Sequence, residues 1–335
     1  MNPSDLDDLL PLALPVLFLM ASGLFAHRFS PRAATWLNCI LSVLLAAATV
    51  TGLVLLLARG LLRVHRVEAI GHLSPAVIIP QDHAHQPLAV MAAITLLVTL
   101  AATTRGVIQE RRTLVKSARS ARELPGDQTI VVLDAITVDA VAIPGSPGRI
   151  AVSSNLLAVL DEPEQQAVLV HEQSHLQHRH HLFKAVVRVS AAINPALRPL
   201  LNVVDYTIER WADEDAAIEV GDRTVVARSI GKAALASVDL PQSPQLGRLH
   251  FLGRKRPGPI PRRVQAMLAP PPRPRPGVFC VVLGIALVLN FPLGHDLEGL
   301  AQLVRAARSH TSTCCTTNRL YYSPAVSSQS SPRHP

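Results

Sequence analysis

Four uncharged apolar runs dominate the pattern of hydrophobic and polar positions, at residues 9–26, 34–58, 87–104 and 277–294. Each approaches the roughly 20 apolar residues that a helix needs to cross the hydrocarbon core of a bilayer. We therefore expect an α-helical multi-pass membrane protein with four spans. The alternatives are buried core helices or, for the first run, a signal peptide, which the acidic residues before position 9 disfavour.

Basic residues beside these runs predict the orientation of the chain. Six Arg and Lys residues lie within 105–122, and eight lie within 248–275. Because cytoplasmic loops are enriched in Arg and Lys, we expect 105–276 to be cytoplasmic and both termini to lie outside. The tail, 295–335, is predicted to be disordered, because it is rich in Ser, Thr and Pro from residue 309 on. The net charge of +8 then indicates contact with the lipid bilayer, and no direct nucleic-acid binding is expected.

The segment 105–276 is long enough for one globular domain. Its opening residues are expected to continue the third span, residues 87–104, as a basic helix lying at the membrane surface. Alternating apolar residues then predict short strands, which the turn sequence PGSPG interrupts. These strands are 131–134, 138–143 and 150–153.

A helical pattern follows the strands. Asp161 and Glu164 predict its amino-terminal cap, and no breaker occurs before Asn194 and Pro195. We therefore expect one long helix. Together with the strands, this pattern predicts an α+β cytoplasmic domain.

The sequence HEQSHLQHRHH lies inside this predicted helix. His171 and His175 are four residues apart, so their rings leave the same face and can bind one ion. Glu172 lies about 100° around the helix, where it flanks the ion and can take a proton from an attacking water. A chance match in a histidine-rich stretch is the alternative interpretation.

Three further histidines follow in the same stretch. His181 occupies the last position of the metzincin spacing, but His178 stands where that motif has glycine. On a continuous helix, His181 lies roughly 15 Å along the axis from His171, too far to share an ion. We therefore expect His178, His180 and His181 to be surface or membrane-proximal residues, with His178 a possible neighbour of the site.

A second helical segment, VVDYTIERWADEDAAIEVGD, supplies candidate carboxylates. Asp205, Glu209 and Asp213 recur at intervals of four residues on one face. A solvated acidic face is the simplest explanation for this spacing. Beside H-E-x-x-H, however, a carboxylate from another helix would complete a site of two histidines and one acid.

The sequences AVLVHEQSHLQHRHH and IERWADEDAA, preceded by VDAVAIPG and GRIAVSS, resemble BlaR/MecR-type antibiotic-sensor membrane metallopeptidases. They resemble HtpX-type membrane proteases more distantly. The resemblance implies a gluzincin-like domain in which His171, His175 and Glu209 hold one zinc ion. It also implies that Glu172 is the catalytic base and that Asp213 orients a ligand histidine.

The sequence PIPRRVQAML resembles the arginine-containing segment that closes such domains. This resemblance implies that Arg262 or Arg263 contacts the site. For both arginines we favour the alternative of a membrane-surface charge.

The resemblance implies a membrane-embedded zinc endopeptidase with a cytoplasmic active site. We expect an extended substrate beside the metal helix, pairing with an edge strand within 138–153. A cytoplasmic winged-helix transcriptional repressor is the expected substrate, with self-cleavage as a further reaction. A membrane-protein quality-control protease and a non-catalytic metal-binding membrane sensor are the alternatives. Penicillin-sensing members carry a large domain after the fourth span, whereas about 40 residues follow it here, so the input signal is left open.

Overall fold

The computed structural model describes residues 29–61, 85–134, 138–238, 260–271 and 284. The predicted span 9–26, the tail, and the predicted span 277–294 apart from Gly284 lie outside the described residues. The chain divides into two compact units. One contains residues 1–52 and 96–290, including every element of the candidate site, and the other contains 53–95 and 291–335.

Two long helices contain the second and third predicted spans. Helix α1 covers Pro31–Leu61 and helix α2 covers His85–Glu123. Both are long and apolar enough to cross a membrane, because each contains an 18-residue window of high mean hydropathy, 2.6 within Pro31–Ala58 and 1.7 within Ala89–Glu123. Two such helices are consistent with membrane association, whereas the total of four spans and their orientation remain predictions.

Helix α2 confirms that the basic segment continues the third apolar run as a helix. Residues 105–123 continue the same helix without interruption. Their position at the membrane surface remains a prediction.

A small sheet follows helix α2. Its strands are β1 (Ile130–Leu133), β2 (Ala140–Ile143) and β3 (Arg149–Ser153), close to the three predicted strands. Strand β3 is central, with β1 parallel on one side and β2 antiparallel on the other. Within the described part of the chain, β2 is therefore an edge strand.

The remaining described elements are helical. They are α3 (Ser154–Val159), α4 (Glu162–Gln177), α5 (His180–Ile193), α6 (Pro199–Val220), α7 (Arg223–Val238) and α8 (Ile260–Leu268). Helix α4 begins as predicted, with a capping box formed by Asp161 and Glu164. The single long helix was wrong, because Arg179 adopts a left-handed conformation, with φ 51° and ψ 45°, and separates α4 from α5.

The amino-terminal part of α1 packs against α5 and α6. Thr35 donates a hydrogen bond to the Thr207 hydroxyl at 2.9 Å, and the Asn194 amide donates to the Thr49 hydroxyl at 2.9 Å. The α1 residues Cys39, Leu45 and Ala46 share a hydrophobic cluster with residues of α5 and α6. This part of the apolar run therefore helps to form the protein core, which explains why half of the apolar 18-residue window of α1 is buried.

Candidate metal centre

His171, His175 and Glu209 converge across helices α4 and α6. The Nε2 atoms of the two histidines are 3.2 Å apart. Glu209 lies 3.6 Å from His171 Nε2 through Oε2 and 3.8 Å from His175 Nε2 through Oε1. Ligands about 2.0–2.1 Å from a tetrahedral zinc ion are about 3.3 Å apart. The spacing and chemistry of these donors therefore fit one metal ion.

Asp213 lies one turn after Glu209, on the other side of His171. Its Oδ1 is 3.1 Å from His171 Nδ1, and its side chain is fully buried. Metal-ligating histidines usually donate their second ring N–H to a carboxylate or carbonyl, which fixes the ring orientation. Asp213 is placed for this contact, so Nε2 of His171 is left facing the candidate metal position.

Arg263 connects both acids to helix α8. Its guanidinium donates to the two Asp213 oxygens at 2.5 and 2.9 Å and to Glu209 Oε2 at 3.1 Å. The favoured interpretation of Arg263 as a membrane-surface charge was therefore wrong. Arg262 points elsewhere and lies over the Tyr206 ring, 4.7 Å from its centroid.

The Glu172 side chain extends from helix α4 to strand β2 of the sheet. Its Oε2 accepts a hydrogen bond from the Ala142 backbone N–H at 2.7 Å. Burial and the negative charge of Glu209 raise the pKa of Glu172 to about 7, although His171 and the Ala142 N–H oppose the rise. A carboxylate with a pKa near the working pH can both accept and return a proton.

Burial and electrostatic interactions shift the pKa values of the two histidines in opposite directions. Burial lowers the pKa of His171, but hydrogen bonds to Asp213 and Glu209 outweigh it and raise that pKa to about 9. Burial holds the pKa of His175 well below its usual value. The nearby histidines and Arg263 keep the pKa of Glu209 low despite its burial. Without an ion, the site therefore pairs a charged His171 with an ionised Glu209.

The chain after Arg179 gives His180 a different environment from the one predicted. His180 is 1% exposed, and its Nδ1 lies 2.9 Å from His175 Nδ1. The expectation of a surface role for His180 was wrong because it assumed a continuous helix. His178 contacts Asp215 at 3.2 Å and stacks on Trp211, while His181 is absent from the ligand group.

Lys184 and Asp205 lie beside the third candidate ligand. Lys184 Nζ is 3.7 Å from both Glu209 Oε1 and Asp205 Oδ1. Asp205 shares a helix face with Glu209 and Asp213, as predicted, but is not part of the group whose donor atoms converge. The acidic face therefore divides into one candidate ligand, one buried partner of His171 and one residue paired with Lys184.

The class of the site is that of a metallopeptidase. It combines a helix that bears H-E-x-x-H, a carboxylate from a second helix and an adjacent small sheet. Residues 106–229 match the model of Peptidase family M48. The match includes α4 and the Glu209–Asp213 turn and ends before α8. It supports a membrane-type zinc metallopeptidase family without separately confirming the BlaR/MecR or HtpX resemblance. No curated protein and no solved structure matches the chain significantly.

Proposed function

We propose that this protein is a membrane-associated zinc endopeptidase with a cytoplasmic active site. The observation that carries the proposal is the convergence of His171, His175 and Glu209, with Glu172 one residue from the first histidine. His171 and His175 would supply imidazole ligands and Glu209 a carboxylate ligand. A fourth position would remain for the reaction, as is usual in catalytic zinc sites.

Glu172 is the base in the proposed reaction. A bound zinc ion would supply Lewis acidity, which polarises a carbonyl and makes water easier to deprotonate. Glu172 takes one proton from the attacking water as the water oxygen bonds to the scissile carbonyl carbon. The peptide C–N bond then breaks, and Glu172 returns the proton to the leaving amine.

Strand β2 is an edge strand among the described residues, and this edge supports binding of an extended substrate. Ser153 N–H bonds to the Asp139 carbonyl at 2.9 Å. Hydrogen-bonded and non-bonded pairs alternate in an antiparallel ladder, so Ala140 and Ala142 direct their backbone polar groups away from β3. The Ala142 N–H points to Glu172. A peptide pairing with this edge would therefore pass beside the proposed base.

Regulatory cleavage of a cytoplasmic repressor remains our proposed physiological role. The family match supports the peptidase, whereas the repressor rests on the sequence resemblance alone. Quality-control proteolysis of membrane proteins uses the same chemistry, and its substrates would be misfolded membrane proteins. A non-catalytic metal sensor would retain the metal site and need no base at position 172.

The experiment that tests the proposal is zinc binding and peptide cleavage by the purified full-length protein and two variants. Glu172→Gln should keep about one zinc ion per chain and lose cleavage by two or more orders of magnitude. Glu209→Gln should lose both zinc and cleavage, because it removes a charged candidate ligand. A Glu172→Gln variant as active as the parent would overturn the proposed mechanism and favour a non-catalytic role for this site.

A further inference from the structure

His180 has an environment that separates it from the other histidines of its stretch. It is 1% exposed, and its ring lies 4.8 Å from the Trp211 ring and 6.4 Å from the Phe183 ring, measured between centroids. Its Nδ1 is 2.9 Å from His175 Nδ1. Its Nε2 is buried without a hydrogen-bond partner among the described residues. Among the described residues, the contact with His175 is therefore its one polar contact within hydrogen-bond distance.

The left-handed residue Arg179 makes this contact possible. On an uninterrupted helix, residue 180 would lie about 140° around the axis from residue 175 and about 7.5 Å along it. The two rings would then leave different faces. A left-handed conformation is unfavourable for a residue other than glycine. The structure accepts this conformation at Arg179, and the redirected chain brings the His180 ring back to the metal helix.

The positions of the ring nitrogens fix their roles. His175 Nε2 faces His171 Nε2 and Glu209, so it is the atom directed at the candidate metal position. Its Nδ1 faces His180 Nδ1. When His175 Nε2 acts as a ligand lone pair, its proton lies on Nδ1. His180 Nδ1 must then accept that proton's hydrogen bond, which places the proton of His180 on Nε2.

We propose that His180 is a positioning residue that accepts a hydrogen bond from His175 Nδ1 and so fixes the tautomer and ring orientation of this metal ligand. The inference rests on the proposed metal site. His171 has the anionic partner Asp213, whereas His175 has a neutral aromatic partner. The two histidine ligands are therefore oriented by chemically different acceptors, one from α6 and one from the beginning of α5.

The test compares two substitutions at position 180 with one at the next residue. His180→Phe keeps a ring but removes the acceptor, and His180→Asn keeps an acceptor oxygen near the position of Nδ1. His181→Phe is the matched control, because it makes the same change of side chain at a residue that lies outside the ligand group. Zinc affinity of the full-length protein is measured by competition with a chelator, and the cobalt-loaded forms are compared by their visible absorption spectra.

Loss of an outer hydrogen-bond partner typically lowers metal affinity 10–100-fold. We expect that loss in His180→Phe together with a changed cobalt spectrum, at least partial recovery of both in His180→Asn, and no change in His181→Phe. Parental affinity in His180→Phe would overturn the inference, as would equal losses in His180→Phe and His180→Asn when both variants retain the parental circular dichroism. If His180→Phe does not fold, His180→Ala replaces it. Parental zinc affinity in His180→Ala would overturn the inference, and a loss of zinc affinity in His180→Ala that His180→Asn restores would support it. Failure of the parent itself to bind zinc would refute the proposed function instead.

Discussion

The guanidinium of Arg263 holds both oxygens of the fully buried Asp213, at 2.5 and 2.9 Å. Asp213 in turn contacts His171 Nδ1 at 3.1 Å. Burial alone would raise the pKa of Asp213, but Arg263 and His171 lower it to about 2. Arg263, which lies on α8 beyond the residues of the family match, therefore keeps Asp213 charged. Asp213 in turn orients the candidate ligand His171.

Replacing Arg263 should destabilise the protein and weaken metal binding. Arg263→Ala leaves Asp213 buried without its guanidinium, and removing one partner of a buried ion pair costs roughly 3–5 kcal/mol. Urea unfolding of the detergent-solubilised protein measures this change. Arg262→Ala is the control on the same turn, and it should cost less than about 1 kcal/mol because Arg262 is exposed. Equal losses in the two variants would contradict the assigned role of Arg263.

Zinc affinity should increase with pH because zinc must displace a proton from His171. The pKa of His171 is about 9 in the metal-free protein, so affinity should rise about tenfold per pH unit between about pH 7 and 8.5. Chelator competition in a Glu172→Gln background measures this slope without the second titrating group. Asp213→Asn should flatten it, because it removes a hydrogen bond that raises the pKa of His171.

The same protonation stabilises the metal-free fold. The folded pKa of His171, about 9, exceeds its ordinary value of 6.5, so this stabilisation is fully present below pH 6.5. It is lost as the pH rises through 9.

Zinc affinity that does not vary between pH 7 and 8.5 would show that His171 carries no proton to displace.

Glu172→Gln should stabilise the metal-free protein at pH 8. The folded pKa of Glu172, about 7, exceeds its ordinary value of 4.5, so its ionised form destabilises the fold fully above pH 7. At about 1.4 kcal/mol per pKa unit, removing that charge contributes up to about 3 kcal/mol. Urea unfolding should show the difference at pH 8 and its disappearance below about pH 4.5. Glu209→Gln is the contrasting control and should destabilise the protein, because the pKa of Glu209 is lowered.

Arg149→Ala should loosen the end of helix α2. The buried Arg149 side chain donates hydrogen bonds to the carbonyl oxygens of four residues after or within the last turn of α2: Ala121, Leu124, Pro125 and Gln128. Their loss should lower the free energy of unfolding by roughly 2–4 kcal/mol. Arg122→Ala is the control on α2, where the side chain is exposed. Limited proteolysis after residue 123 should accelerate only in the Arg149 variant.

Local patterns predicted most of the elements around the site. Alternation of apolar residues located the three strands, and the Asp161–Glu164 spacing located the start of α4. The spacing of four residues placed His171 and His175 together. These successes share a cause, because each depends on contacts within a few residues of the chain.

The missed features depend on tertiary structure. No sequence pattern indicates that Arg179 adopts a left-handed conformation, so His180 was placed on the wrong surface. In the structure Ser174 and Val187 are both buried, although on a continuous helix they would lie about 140° apart and could not share one buried face. Their burial is visible only in the tertiary structure. The contact of Glu172 with the Ala142 backbone likewise required the sheet order.

Helix α2 also yields a prediction about substrate geometry. Ala121, which accepts a hydrogen bond from Arg149 at the start of β3, lies 17 residues after the apolar run that ends at 104, or about 25 Å along the helix. If that run crosses a bilayer, a membrane-anchored peptide needs about eight extended residues to cover the same distance. Anchored reporters with spacers of about 3 and 15 residues, assayed in proteoliposomes, should be cut slowly and rapidly, respectively. Equal rates would contradict this spacing.

If the run 87–104 crosses a bilayer and the protein is the proposed endopeptidase, the uninterrupted helix α2 would determine where along a polypeptide it cuts. An active site held at a fixed distance from the bilayer would not reach side chains close to the membrane and would cleave only segments that extend far enough from it. Selection of this kind would depend on the length of exposed chain instead of its sequence. Shortening α2 by whole turns would then move the cut site toward the anchor without altering the catalytic residues.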